Sequence, residues 1–174
     1  MARGLVCFAH GKESGPWGVK ITALAVVARA LGYAVMSPDY SHTHDPLARV
    51  EQLLALAPHA SGKLVLAGSS MGGYVSLAAS AKLRPDGLFL MAPAIYFPGY
   101  PAATGWSRRT EIVHGWQDEI IPADHSIRYA RARTAHLHLL PSNHSLVSEL
   151  AALEALFAHF LRQVLALPAR IESA

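Results

Sequence analysis

A single cysteine, Cys7, leaves the chain without a second thiol, so an intrachain disulfide is excluded. Charge is sparse as well: Asp, Glu, Lys and Arg make up 16% of the residues, against roughly 25% in an average soluble protein. Fifteen Lys+Arg against twelve Asp+Glu leave a formal charge of +3, and the longest basic run is Arg108-Arg109. Without a cationic stripe to track phosphates, nucleic acid is not an expected partner. Long apolar runs are missing too. The longest uncharged stretch, residues 87–107, is broken by Pro93, Pro98, Gly99, Pro101 and Gly105, and the apolar patch 5–9 is too short for a signal peptide. No membrane span is expected, and the lone thiol fits a reducing cytoplasm. What is present is an apolar share of 52% in 174 residues, enough to bury a core in one compact domain spanning 1–174.

Short β-rich runs alternate with longer helical patterns. Residues 4–9, 33–37, 63–68, 87–91, 111–114 and 136–140 read as six strands. Between the first two, Ile21, Leu24, Ala25, Ala28 and Leu31 recur at helical spacing and stop at Gly32. Asp45 is an expected N-cap for a second helix carrying Leu47, Val50, Leu53, Leu54 and Leu56. Residues 71–82, 123–133 and 146–165 supply further helices. This alternation implies right-handed crossovers and an α/β fold, a mostly parallel sheet covered on both faces as a three-layer sandwich. Ligands bind such sheets beyond the carboxyl ends of the strands, so chemistry is expected there. Residues 93–109 are the exception: aromatic, Pro and Gly residues stand where a helix would otherwise connect two strands.

The third strand runs into Gly68-Ser69-Ser70-Met71-Gly72, a G-x-S-x-G between strand and helix. A serine on a turn this sharp takes strained backbone angles, and residues two positions away must lack side chains because strand and helix nearly touch. Ser70 is therefore the candidate nucleophile. The amide of Met71 then lies at a helix N-terminus, where a free N–H favours a developing oxyanion. A Gly-rich turn without chemistry is the bland alternative, and no Lys-Ser/Thr pair follows to make a phosphate loop. A serine hydroxyl needs a base, and the base needs a group that orients it. Asp118 follows the fifth strand and His144 the sixth. Each alone reads more often as a loop or capping residue, whereas the order Ser, Asp, His at successive carboxyl ends reads as catalytic. Glu119 and Asp124 are the next candidates for the acid.

The loop after the first strand, His10 to Pro16, lies at the same sheet edge. The N–H of Lys12, with Gly11 as second choice, is expected as the other oxyanion donor, and His10 is expected to brace the loop. Trp17, Tyr96, Phe97 and Trp116 are candidate pocket residues, with sealing the rim of the core as the competing role. The pairs His42/His44 and His136/His138 lack a nearby Cys or carboxylate, so no metal is expected.

Through HGKESGP, AGSSMGGY, MAPA, HGWQDEIIP and SNHS the chain resembles the α/β-hydrolase superfamily, and within it the small lidless bacterial serine esterases, along nearly its whole length. The resemblance implies strand order 2-1-3-4-5-6, a Ser70-Asp118-His144 triad, an acyl-enzyme intermediate resolved by water, and no cofactor. The resemblance does not specify the substrate; cleavage of carboxylic esters with small to medium acyl chains is the expected reaction, with a thioester substrate or a non-catalytic binding protein on the same fold as the alternatives. The usual opening pair of antiparallel strands is missing, and the lid is reduced to residues 94–109, so an open, shallow site is expected.

Overall fold

In the computed structural model, residues 2–169 carry the elements β1 (Gly4–Ala9), α1 (Val19–Ala30), β2 (Tyr33–Met36), α2 (Pro46–Leu56), β3 (Lys63–Ser69), α3 (Met71–Leu83), β4 (Gly87–Met91), β5 (Arg109–Gly115), α4 (Ala123–Arg133), β6 (His136–Leu140) and α5 (Leu150–Ala166). The six strands form one sheet in the order β2-β1-β3-β4-β5-β6, and every pairing is parallel. The chain therefore starts near the middle, winds outward to β2, returns past β1 to β3 and continues to β6. The reversal lies between β1 and β3, which is where a ligand cleft is expected in such a sheet.

Alternate side chains of each strand serve opposite faces, and two apolar layers result. Val6, Phe8, Val65, Ala67, Phe89 and Val113 meet Ile21 and Leu24 of α1 and Phe157, Phe160 and Leu161 of α5. On the other face Cys7, Leu66, Leu88, Leu90 and Ile112 meet Leu53 of α2, Tyr74 and Val75 of α3, and Tyr129 of α4. Full burial of one such side chain is worth about 1.5–3 kcal/mol.

Helix α2 departs from its expected stripe. Leu47 and Leu56 are exposed, and the buried positions are Leu53 and, one turn earlier, Arg49. Asp45 caps α2 as its sequence suggested, accepting from the Leu47 N–H at 2.9 Å. The last helix also differs at its start. Leu146 sits in the left-handed region at φ 58°, a short 3₁₀ turn covers Val147–Glu149, and regular helix begins at Leu150. The link between β4 and β5 forms no helix. Its later part runs along α3, where Gly105 packs on Leu77 and the Trp106 N–H donates to Ser80 Oγ at 2.9 Å.

Glycine is required where α3 crosses β1. A Cβ on Gly72 would lie 1.9 Å from the Ala9 carbonyl oxygen, and one on Gly68 would lie 2.1 Å from that of Gly72. Backbone on both sides prevents relief by a rotamer change. Gly72→Ala should therefore lower stability by about 3 kcal/mol or more, despite the better helix propensity of Ala, and reduce Tm by roughly 6–12 °C. Gly15, with open space around it, is the control: Gly15→Ala should leave Tm nearly unchanged in the same calorimetric scan.

Candidate active site

The tight β3–α3 turn places Ser70 at φ 55° and ψ −119°, a conformation that L-residues rarely adopt. Its backbone is held from both sides. The Ser70 N–H donates to the Met91 carbonyl at 2.9 Å, and its own carbonyl accepts from the N–H groups of Gly73, Tyr74 and Ala94. With the main chain anchored, the hydroxyl projects into a cleft of about 540 Å³ at the carboxyl ends of β1 and β3. Gly11, Lys12, Lys20, Met71, Phe97, Tyr100, Ile120, Ile121 and His144 are among the residues that line it.

The loops after β5 and β6 meet across this cleft. The Trp116 N–H donates to the Leu140 carbonyl at 2.9 Å, and the Gln117 N–H donates to that of Ser142 at 3.0 Å. Gly115 permits the crossing, since a Cβ there would lie 2.2 Å from the Ser142 oxygen. Joined in this way, the loops bring Asp118 to His144. His144 Nδ1 donates to Asp118 Oδ2 at 2.7 Å, and its Nε2 accepts from Ser70 Oγ at 3.0 Å. The other carboxylate oxygen, Oδ1, accepts from the N–H groups of Ile120 and Ile121, both at 2.9 Å. Burial alone would raise the Asp118 pKa, but the Ile121 amide, the His144 imidazole and the Ile120 amide outweigh it and hold the carboxyl below its ordinary value. Asp118 is thus a fully buried carboxylate that stays ionised.

The model of the alpha/beta hydrolase family matches residues 8–172. The chain belongs to that family. A protein of the alpha/beta superfamily from Xanthomonas campestris pv. campestris is 38% identical over 94% of this chain and 99% of its own, with a TM-score of 0.88. Two structures share the fold at lower identity. Est1E from Butyrivibrio proteoclasticus is 18% identical, covers 95% of this chain and 90% of its own, and has a TM-score of 0.80. A serine hydrolase without a lid from Xanthomonas campestris is 22% identical, covers 97% and 86%, and has a TM-score of 0.70. A search of the curated proteins finds no match to the sequence.

In this alpha/beta hydrolase a second imidazole lies behind Asp118. His114, at the end of β5 and wholly buried, has its Nε2 at 3.0 Å from Asp118 Oδ2 and 2.9 Å from the Ile121 carbonyl, while its Nδ1 accepts from Ser126 Oγ at 2.7 Å. Two acceptors at Nε2 require the proton there, and burial lowers the ring's proton affinity, so His114 is neutral and donates to the carboxylate. Its spacing of four residues from Asp118 across the loop was the available sequence signal.

Beneath the β1 loop lies Arg49, also wholly buried and without a carboxylate partner among the described residues. Its Nη1 donates to the carbonyls of His10 and Gly11 at 3.3 and 3.2 Å, and its Nε donates to that of Thr43 at 2.8 Å. His10 braces the same loop: its Nδ1 donates to the Gly11 carbonyl at 2.8 Å, and its Nε2 accepts from the Tyr40 N–H at 2.9 Å. In a trans peptide the carbonyl and the following N–H point opposite ways. Two donors on the Gly11 oxygen therefore turn the Lys12 N–H away from Arg49, and no hydrogen bond occupies that N–H among the described residues.

Of the four expected pocket residues, Phe97 lines the cleft. Trp17, Tyr96 and Trp116 do not: they are 48%, 40% and 58% exposed. Trp17 stacks under the Arg29 guanidinium, and Tyr96 lies 4.1 Å under that of Arg128 and edge-on to His125. These cationic partners offer the rings an outward face that neutral neighbours would not. Ala94, Phe97 and Tyr100 supply the cleft wall from the β4–β5 link, while Ile120 and Ile121 supply the facing apolar wall. Glu119 and Asp124 form no hydrogen bond or ion pair with His144 among the described residues.

Burial depresses the pKa of both His10 and His114 below the ordinary imidazole value of 6.5. Below pH 6.5 the unfolded chain therefore binds protons that the folded chain refuses, and stability must fall with pH. Urea midpoints should hold steady above pH 7 and decline between pH 6.5 and 5, each imidazole adding a slope of up to about 1.4 kcal/mol per pH unit. A flat midpoint across that window would contradict neutral burial of both rings.

Proposed function

We propose that this alpha/beta hydrolase cleaves carboxylic esters of small to medium acyl chains through an acyl-enzyme intermediate. The observation that carries the reading is the unbroken hydrogen-bond chain from Ser70 Oγ through His144 to Asp118. In the first half-reaction Ser70 Oγ attacks the ester carbonyl while His144 Nε2 takes its proton. The resulting imidazolium is stabilised by ionised Asp118, whose charge its two backbone donors keep in place. Collapse of the tetrahedral intermediate breaks the bond to the leaving alkoxide, which receives the proton from His144. Water then repeats the sequence on the acyl-serine and releases the acid.

The negative oxygen formed in each half-reaction needs donors. The free N–H of Met71 opens α3, where the helix leaves its first amides unpaired, and the Lys12 N–H is the second donor, oriented by Arg49 and His10. A cleft of about 540 Å³ with Phe97, Tyr100, Ile120 and Ile121 in its walls suits an apolar acyl chain of modest length. The free, buried Cys7 is compatible with a reducing cytoplasm as the working compartment. None of the described helices is long and apolar enough to cross a membrane.

A fluorophosphonate probe should label the protein, and Ser70→Ala should abolish labelling; labelling that survives the substitution would reject Ser70 as nucleophile. Asp118→Asn should keep the fold and lower kcat on 4-nitrophenyl butyrate by about 10⁴-fold, since the wrong imidazole tautomer would then face Ser70. Running an acyl-CoA beside that ester distinguishes ester from thioester preference.

A further inference from the structure

Lys20 stands in an unfavourable position for a cation. It is the second residue of α1, where the positive end of the helix dipole opposes an ammonium group, and it is partly buried. Burial lowers its pKa to about 8, with only the more distant charge of Asp118 acting in the other direction. No hydrogen bond or ion pair holds its amine among the described residues. A partly desolvated charge without a partner disfavours a fold, and a Met or Leu would fill the site at lower cost. Yet the side chain lies in the wall of the same cleft as Ser70 and His144.

We propose that Lys20 is an anion subsite of this cleft, and that the preferred substrate is an ester carrying a free carboxylate on its acyl chain. This rests on the ester-hydrolase reading and adds the substrate class to it. A single ammonium without an arginine fork suits a monoanion better than a phosphate ester. The apolar walls of Phe97, Tyr100, Ile120 and Ile121 accept the methylene chain between the scissile carbonyl and the carboxylate. The charged or titratable groups that line the cleft with Lys20 are His144 from the β6–α5 loop, Lys12 and Glu13 from the β1–α1 loop, His44 from the β2–α2 loop and Tyr100 from the β4–β5 link, and the charge of Asp118 from the β5–α4 loop acts on it as well. Asp118 is already satisfied by two imidazoles and two amides, and Glu13 points mainly to solvent beside Lys12, so neither neutralises the amine.

The test compares the 4-nitrophenyl half-esters of adipic and suberic acid with 4-nitrophenyl hexanoate and octanoate. In the wild type the ratio of kcat/KM, charged over neutral, should exceed one for at least one chain length and fall as pH rises through about 8, where the amine loses its proton. Lys20→Met should reduce that ratio at least tenfold, and Lys20→Arg should retain most of it. An equal loss on both ester types, or an unchanged ratio, overturns the subsite. Binding provides a readout independent of turnover: Ser70→Ala protein is titrated with suberic acid monomethyl ester and with methyl octanoate. Tighter binding of the charged ester that Lys20→Met removes supports the subsite even where hydrolysis fails. Equal binding of both esters, or charged-ester binding that survives Lys20→Met, rejects it. Turnover of neutral and charged esters alike, with neither depending on Lys20, would leave the hydrolase reading standing and remove this one alone.

Discussion

The backbone contact between α3 and β1 is the constraint from which the rest of the site follows. Because Gly72 rests on the Ala9 carbonyl and Gly68 on that of Gly72, the chain has no room for a relaxed turn between strand and helix. Ser70 takes up the difference in its backbone angles, at an expense of order 1–3 kcal/mol. That strain persists because the surrounding hydrogen bonds over-determine it: one amide and one carbonyl of a single residue are tied to β4, to α3 and to the segment after β4. The hydroxyl is left as the part of the residue free to react.

A second consequence is that the groups meeting Ser70 come from loops that need their own anchoring. The β5 and β6 loops are joined by backbone hydrogen bonds at Trp116 and Gln117, a contact that only a glycine at position 115 allows. On the opposite side the β1 loop is held by Arg49 and His10 through its carbonyls. All three loops are fixed through their own main-chain groups, so the side chains facing the cleft can vary without loss of the frame.

The fold was legible because a parallel sheet covered on both faces writes its strands as continuous apolar runs bounded by turns, and 4–9, 63–68 and 87–91 are such runs. Ser70, Asp118 and His144 were legible because each sits in a local motif at a strand end. Arg49, His114 and Lys20 were not, for one shared reason. Their roles depend on partners distant in sequence, and locally they read as a helix-surface cation, a strand residue and another surface cation. Arg49 left one trace, its place one turn before Leu53 on the buried side of α2. The aromatic residues show the converse limit. Trp17, Tyr96 and Trp116 stand in loops beside the cleft, but sequence does not specify the direction of a loop side chain, and arginines draw two of these rings outward.

The sharing of Asp118 Oδ2 by two imidazoles raises a question of charge. Were both rings protonated, the carboxylate would face two cations and its pull on His144 would be divided. Burial prevents this on one side only: His114 has no exposed surface, and its desolvation lowers the ring's affinity for a second proton. His144 is partly open to the cleft, and its Nε2 faces a hydroxyl that can give up its proton. Of the two rings against one carboxylate, the solvent-facing one is therefore placed to become the imidazolium, while the buried one supplies a fixed dipole. The negative charge of Asp118 is thereby reserved for the ring that moves the proton in the proposed mechanism, the electrostatic asymmetry that the proposed acyl transfer at Ser70 would require.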